Sequence, residues 1–231
     1  DKEQVNNIVP EGSTSITLYA KWEINTYKIA YNGNGATAGT TQTSTHTYNQ
    51  DKALTANGYS RTGYVFAGWA ISSNGSVQYA NSATVKNLTT ENNKTIILYA
   101  QWTPNTYTVK YNGNGSTSGS TASSSHVYGT SKVLSENGFS KKGYSFAGWS
   151  TSPDGQVQYS NKQSVSNFAT ENGTTVELYA KWNPNVYTVK YKGNGSTDGS
   201  TSNSTHKYGV ASKLSANGYI KKGYDFKGWA T

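Results

Sequence analysis

The sequence predicts a tandem array of small, strand-dominated α+β modules, and three observations carry that prediction. Trp22, Trp102 and Trp182 lie eighty residues apart, as do Trp69, Trp149 and Trp229, and likewise His46, His126 and His206. Within each copy, short runs alternate apolar and polar residues with the period of two that marks a half-buried strand. Clusters of Gly, Asn, Ser and Thr, the residues of turns, separate those runs.

Roughly half of the aligned positions in 23–102 and 103–182 are identical, the mark of a duplicated unit. A period of eighty exceeds the 20–50 residues of solenoids and propeller blades, so each unit is expected to bury most of its own core, as beads on a string. Residues 1–22 then end a preceding repeat, 23–102 and 103–182 are complete repeats, and 183–231 open a following one. With both ends inside a repeat, the chain reads as an internal piece of a longer protein. No apolar run approaches the ~18 residues of a membrane helix.

The repeat at 103–182 can be read in order. Tyr107, Val109 and Tyr111 share one face of a strand, with Thr108 and Lys110 on the other. Asn112-Gly113-Asn114-Gly115 supplies a tight turn, and a Ser/Thr-rich loop follows at 116–125. His126-Val127-Tyr128 begins a second strand. Ser131–Gly138 is a candidate short helix, capped by Ser131 and ended by Gly138. Tyr144–Trp149 reads as a strand bent at Gly148, where a missing Cβ makes room for the Trp149 ring or a crossing backbone. After the Pro153-Asp154-Gly155 turn come a strand at Val157-Gln158-Tyr159 and a second candidate helix at Ser166–Asn172. Val176, Leu178, Ala180 and Trp182 share one face of the closing strand. The short linker Asn183-Pro184-Asn185 should then restrain the next repeat.

Eighty residues are marginal for independent folding, and this chain has no Cys for staples. It has 19 Tyr, 6 Trp and 5 Phe instead, and each ring can bury ~150–250 Å². The expected structural core is Trp22, Trp69, Trp102, Tyr107, Tyr111, Tyr144, Phe146, Trp149, Trp182 and Trp229. A cysteine-free chain suits an exported protein of a Gram-positive bacterium.

No constellation points to catalysis. Each repeat offers a single His and, at Glu11, Glu91 or Glu171, a single acidic residue near the end of the second candidate helix. Neither a metal-ligand set nor the paired carboxylates of glycoside hydrolysis is present, so no enzyme activity, metal or cofactor is expected. The His reads as a strand-edge residue bonded to a loop. Serines lack a nucleophile elbow, and the Gly-Asn-Gly turns lack the Lys-Ser/Thr ending of a phosphate loop. A Lys–Asn isopeptide crosslink common to every module is disfavoured because Lys110 and Lys190 align with Ala30.

The net charge of +8 is spread thinly, unlike the basic stripe of a nucleic-acid binder. Basic residues nevertheless precede the Gly-Tyr block in every copy, at Arg61, at Lys141 and Lys142, and at Lys221 and Lys222. An array would present one such point per module, and weak contacts repeated along a chain multiply.

Three blocks, Tyr107-Thr-Val-Lys-Tyr-Asn, Gly143-Tyr144-x-Phe146-x-Gly148-Trp149 and Leu178-Tyr179-Ala180-Lys181-Trp182, closely resemble the Listeria–Bacteroides repeat, the B-repeat of internalin B. The resemblance covers nearly the whole chain. It departs from the family pattern in the Ser/Thr-rich loop after the first strand and at Leu134–Phe139. It implies β-grasp-like, ubiquitin-like modules in secreted or cell-wall-anchored bacterial surface proteins, serving as stalks, spacers and interaction units. The function expected is therefore a non-enzymatic stalk that contributes to adhesion. The alternative is a multivalent binding module for acidic glycans or a host protein through the basic positions. Head-to-tail self-association through the end repeats is a further expectation; nucleic acid and membrane insertion are not expected.

Overall fold

The computed structural model describes residues 3–6 and 8–231. They form two compact units, one of Asp1–Arg61 with Phe66–Trp102 and one of Thr62–Val65 with Thr103–Thr231.

In the first complete repeat four strands, β1 (Thr26–Asn32), β2 (Ser44–Thr47), β3 (Tyr64–Ala70) and β4 (Thr95–Pro104), make a sheet of order β2-β1-β4-β3. β1 and β2 are antiparallel. The central pair, β1 and β4, is parallel, from Lys28 opposite Thr95 to Asn32 opposite Tyr99. Alternation fixes which face is covered: Tyr27, Ile29 and Tyr31 point inward with Leu98 and Ala100, under Trp69.

The second unit repeats this design with β5 (Thr106–Asn112), β6 (Ser124–Val127), β7 (Tyr144–Ser150) and β8 (Thr175–Pro184), in the order β6-β5-β8-β7. β5 and β8 run parallel from Thr108 opposite Thr175 to Asn112 opposite Tyr179. The predicted face of β5 is buried at Tyr107, Val109 and Tyr111, against Leu178 and Ala180 of β8. The third repeat contributes an antiparallel pair, β9 (Val186–Val189) and β10 (Ser204–Lys207).

Trp149 is wholly buried, with the rings of Tyr111 and Phe146 each centred 4.9 Å away. Burying a ring of that size contributes about 4–6 kcal/mol as an upper bound. Its Nε1–H has no partner among the described residues, which gives back about 1–3 kcal/mol. The bend at Gly148 is a β-bulge, with the register against β8 shifting between Phe146 and Gly148. Of the two roles considered for Gly148, the structure shows the crossing backbone. Gly148 has φ of +145°, and a methyl group there would stand 2.6 Å from the carbonyl oxygen of Tyr159. The expected strand at Val157-Gln158-Tyr159 is reduced to an isolated antiparallel bridge, held by Trp149 N–H donating to Tyr159 O at 2.7 Å.

The helical part of the α+β expectation is corrected: the described residues contain no helix. In place of a helix at Ser131–Gly138, Lys132–Val133 pairs antiparallel with Ser164–Val165. The N–H groups that a helix would turn inward go elsewhere: Leu134 to Gln163 O, Ser135 to Tyr111 Oη and Gly138 to Thr121 Oγ1. Ser166–Asn172 is likewise irregular, and the side chain of its Asn167 accepts from Gly129 N–H. One or two isolated turns of helix are too short to compete with such fixed partners.

Trp69, Trp149, Tyr107 and Tyr111 are buried as expected, while Trp102, Tyr144, Phe146, Trp182 and Trp229 are half-buried. Trp22 departs from its core assignment. It is 89% exposed, because Thr17–Trp22 pairs with no strand among the described residues. His126 lies on β6, the edge strand of its sheet, but it is buried and bonds within its own strand instead of to a loop. Its ring stacks on Tyr107 at 5.3 Å, and its Nε2 bonds Ser124 Oγ of the same strand at 2.8 Å.

Candidate functional site

What joins one repeat to the next is built from few residues. β8 ends at Pro184 and β9 begins at Val186, leaving Asn185 alone between two sheets. Its N–H donates to Gly143 O and its carbonyl accepts from Tyr208 N–H, both at 2.8 Å. Gly143 sits in a turn closed by Tyr144 N–H to Lys141 O, with φ of +80°, a conformation that favours glycine. The Tyr208 ring lies directly on it, so that an added methyl group would overlap the ring. Tyr144 meets Tyr208 edge to face, with centroids 5.8 Å apart at 80°. A methyl group on Gly209 would in turn stand 2.7 Å from Tyr144 Oη.

The same set recurs inside the second unit at the preceding boundary. Asn105 N–H donates to Gly63 O, Tyr128 N–H donates to Asn105 O, and the Tyr64 and Tyr128 rings meet at 5.8 Å and 77°. Asn105 is buried and also donates its amide to Thr170 O at 2.6 Å. Two hydrogen bonds and an edge-to-face pair together contribute about 2–4 kcal/mol per joint before the cost of ordering. The linker is therefore a restrained connection. Sequence reading anticipated the restraint but missed its residues. The signal was available: Asn25, Asn105 and Asn185 open each repeat, and Tyr48, Tyr128 and Tyr208 each follow a His by two.

The Asn-Gly turn also carries more than chain reversal. Asn114, at φ of +45°, donates its amide both to Pro153 O at 2.9 Å and to Ala180 O at 3.0 Å. Trp182 Nε1–H donates to Gly113 O at 2.9 Å. The turn is thus fastened to the end of β8.

The basic positions occupy equivalent places. Lys141 Nζ lies 4.8 Å above the Tyr144 ring and Lys221 Nζ 4.7 Å above Tyr224, a cation–π geometry. Methyl groups at Gly35, Gly115 and Gly195 would stand 3.4, 3.2 and 3.4 Å from Arg61 Cζ, Lys141 Nζ and Lys221 Nζ. Each charge is therefore held over the second glycine of its turn. Lys142 and Lys222 are exposed beside them, their backbone N–H groups donating to Thr117 and Thr197.

Burial pushes the His126 imidazole below its ordinary range, with nearby Lys132 adding to the effect, and His46 is lowered in the same way by burial and Lys52. Glu177 is held below the usual carboxylate range by the Tyr179 hydroxyl at 2.8 Å and by the Asn112 amide at 3.2 Å.

The fold and joints define a tandem array of aromatic-core repeats linked strand to strand. Residues 27–101, 107–181 and 187–231 each match the Listeria-Bacteroides repeat domain, and the chain belongs to that family. It is 34% identical over 175 residues to a protein of Evansella cellulosilytica provisionally named a Gly-rich membrane protein, covering 74% of this chain and 19% of that one. A second protein of the same bacterium, provisionally named a membrane protein, is 28% identical over 223 residues, covering 94% of this chain and 30% of its own length. The chain thus spans about a fifth of the first relative and less than a third of the second. Among the described residues, no helix is long and apolar enough to cross a membrane.

Proposed function

We propose that the chain is a load-bearing, non-enzymatic stalk outside a bacterial cell, part of a surface protein whose adhesive portion it holds away from the wall. The observation that carries this reading is the path of the chain through each repeat. It enters at the start of β5 and leaves at the end of β8, and these strands are parallel neighbours. Tension between the two ends must slide β5 along β8 and load their hydrogen bonds together, whereas an antiparallel hairpin pulled at its open end yields one bond at a time. The sheet order, with a parallel central pair, supports a β-grasp-like module whose usual helix is replaced by an extended crossover. Single-residue joints carry the load from one sheet to the next. Small-angle scattering on chains of increasing repeat number tests the stalk. The maximum dimension should grow by a constant step per repeat, and a plateau would refute an extended rod.

The repeated placement of Arg61, Lys141 and Lys221 over their turns supports a second reading, a multivalent surface for acidic glycans or a host protein. Binding to heparin that strengthens with repeat number and weakens with salt would favour it; a spacer alone predicts neither.

A further inference from the structure

In an Asn-Gly pair the side-chain amide is open to attack by the next backbone nitrogen, because glycine has no Cβ to crowd the approach. The two complete repeats contain eight such pairs, and the structure separates one from the other seven. Asn34 and Asn114 are held at φ of +45° and donate their amides to Ala100 O and Ala180 O. Asn32 and Asn112, at the ends of β1 and β5, accept from the N–H groups of Asn34 and Asn114. Asn57 and Asn137 bond Tyr59 and Phe139 through both side-chain polar atoms, and the glycine N–H after each donates to Thr41 or Thr121. Asn172 accepts from Thr106 N–H, while Gly173 N–H donates to Thr106 O.

Asn74 is the exception. It is exposed, and its side chain has no hydrogen-bond partner among the described residues. It occupies a turn closed by Gly75 N–H donating to Ser72 O at 3.1 Å. That turn is anchored one residue earlier, where Ser73 O accepts from the Asn34 amide at 2.8 Å and from the Gln101 amide at 3.2 Å. In the second repeat the equivalent turn is closed by Gly155 N–H to Ser152 O, anchored by Asn114 on Pro153 O, and carries Asp154 at this position. The same turn therefore accommodates the carboxylate that loss of the amide would leave.

We propose that Asn74 is a site of spontaneous deamidation, while the fold protects the other seven Asn-Gly pairs of the complete repeats. The Gly75 nitrogen attacks Asn74 Cγ, the bond from Cγ to Nδ2 breaks, and ammonia leaves with the Gly75 proton, closing a succinimide. Water then opens the ring at either carbonyl, giving Asp or its β-linked isomer, so that one water is consumed for each ammonia released. The turn must open before the attack, and the backbone bond from Gly75 to Ser72 is what opposes that opening. Because the anchor at Ser73 precedes the altered residue, the product keeps the repeat folded. With age the chain thus loses one unit of its net charge of +8 at a defined surface turn.

Ageing the 231-residue chain in mildly alkaline buffer at physiological temperature, with peptide mapping of residues 23–182 by mass spectrometry, tests this. The Asn74 peptide should convert at least about tenfold faster than any of the other seven, the ratio that freeing one or two side-chain hydrogen bonds requires. In concentrated urea all eight should convert at similar rates, since the dipeptide is the same in each. The variant Asn74→Asp should keep the near-UV circular dichroism and the urea midpoint of the parent chain. Asn74 left intact over a period in which the urea-treated chain converts, or the same distribution of converted sites in folded and unfolded chains, would overturn the proposal. So would an Asn74→Asp chain that loses its near-UV signal.

Discussion

The ring of Tyr208 rests on the α-carbon of Gly143, across the boundary between two repeats. A side chain at position 143 must therefore both adopt φ of +80° and displace an aromatic ring. Gly143→Ala is expected to destabilise the chain by about 1–3 kcal/mol, part from backbone strain and part from the clash. Adding Tyr208→Ala should relieve the steric part and leave the backbone part. Denaturant titration gives the energies. Residual dipolar couplings should show the third repeat losing its fixed orientation to the second in both variants.

Trp149 and Trp22 each occupy a position that recurs every eighty residues, and the structure assigns them opposite environments. Trp149→Ala should cost about 3–5 kcal/mol and unfold the second repeat under mild denaturant. Trp22→Ala should change the stability of either unit by less than about 0.5 kcal/mol. Equal effects in urea melts would contradict the burial described.

His126 and His46 make stability depend on pH with a definite sign. In the folded chain burial, with Lys132 and Lys52 adding to it, lowers both below the ordinary value of 6.5, while the unfolded chain takes up protons near that value. The unfolded state binds more protons as the pH falls, so their contribution is complete above pH 6.5 and is lost progressively below it. The urea midpoint should fall between pH 7 and pH 5. His126→Gln should make that slope shallower for the second repeat, whatever it does to absolute stability.

Asn114 tests whether the turn is a fastening or only a bend. Asn114→Gly keeps the φ of +45° accessible and removes the two amide hydrogen bonds to Pro153 and Ala180. A loss of about 1–3 kcal/mol is expected because two carbonyls lose their donor. Hydrogen exchange should speed up at the end of β8 before it does so at β5.

Alternation made β5 and β8 legible, since Tyr107, Val109, Tyr111, Leu178 and Ala180 each bury the face that the pattern assigns. The bend at Gly148 was legible too, because glycine inside an aromatic strand signals a close approach. The candidate helices were not ruled out by sequence, as Ser131 and Gly138 are good caps. What prevents a helix there is tertiary: Tyr111, Thr121 and Gln163 take the N–H groups. The joint was half legible. The shortness of Asn183-Pro184-Asn185 announced a restraint, but pairing Tyr208 with Gly143 requires residues 65 apart to meet, and no local pattern encodes that. Periodicity alone likewise placed Trp22 in a core, since it reports the kind of strand and not whether a partner strand lies beside it.

The load-bearing claim is tested most directly by pulling single molecules in two directions. Drawn from its ends, each complete repeat should yield in one step and release roughly 250 Å of chain, from about 3.5 Å per residue. The force should be well above that needed when the same repeat is pulled through Cys residues at Thr106 and Val127, which peels β6 from β5 one bond at a time. Equal forces in the two directions, or gradual extension without steps, would contradict the account of β5 and β8 as strands loaded in shear.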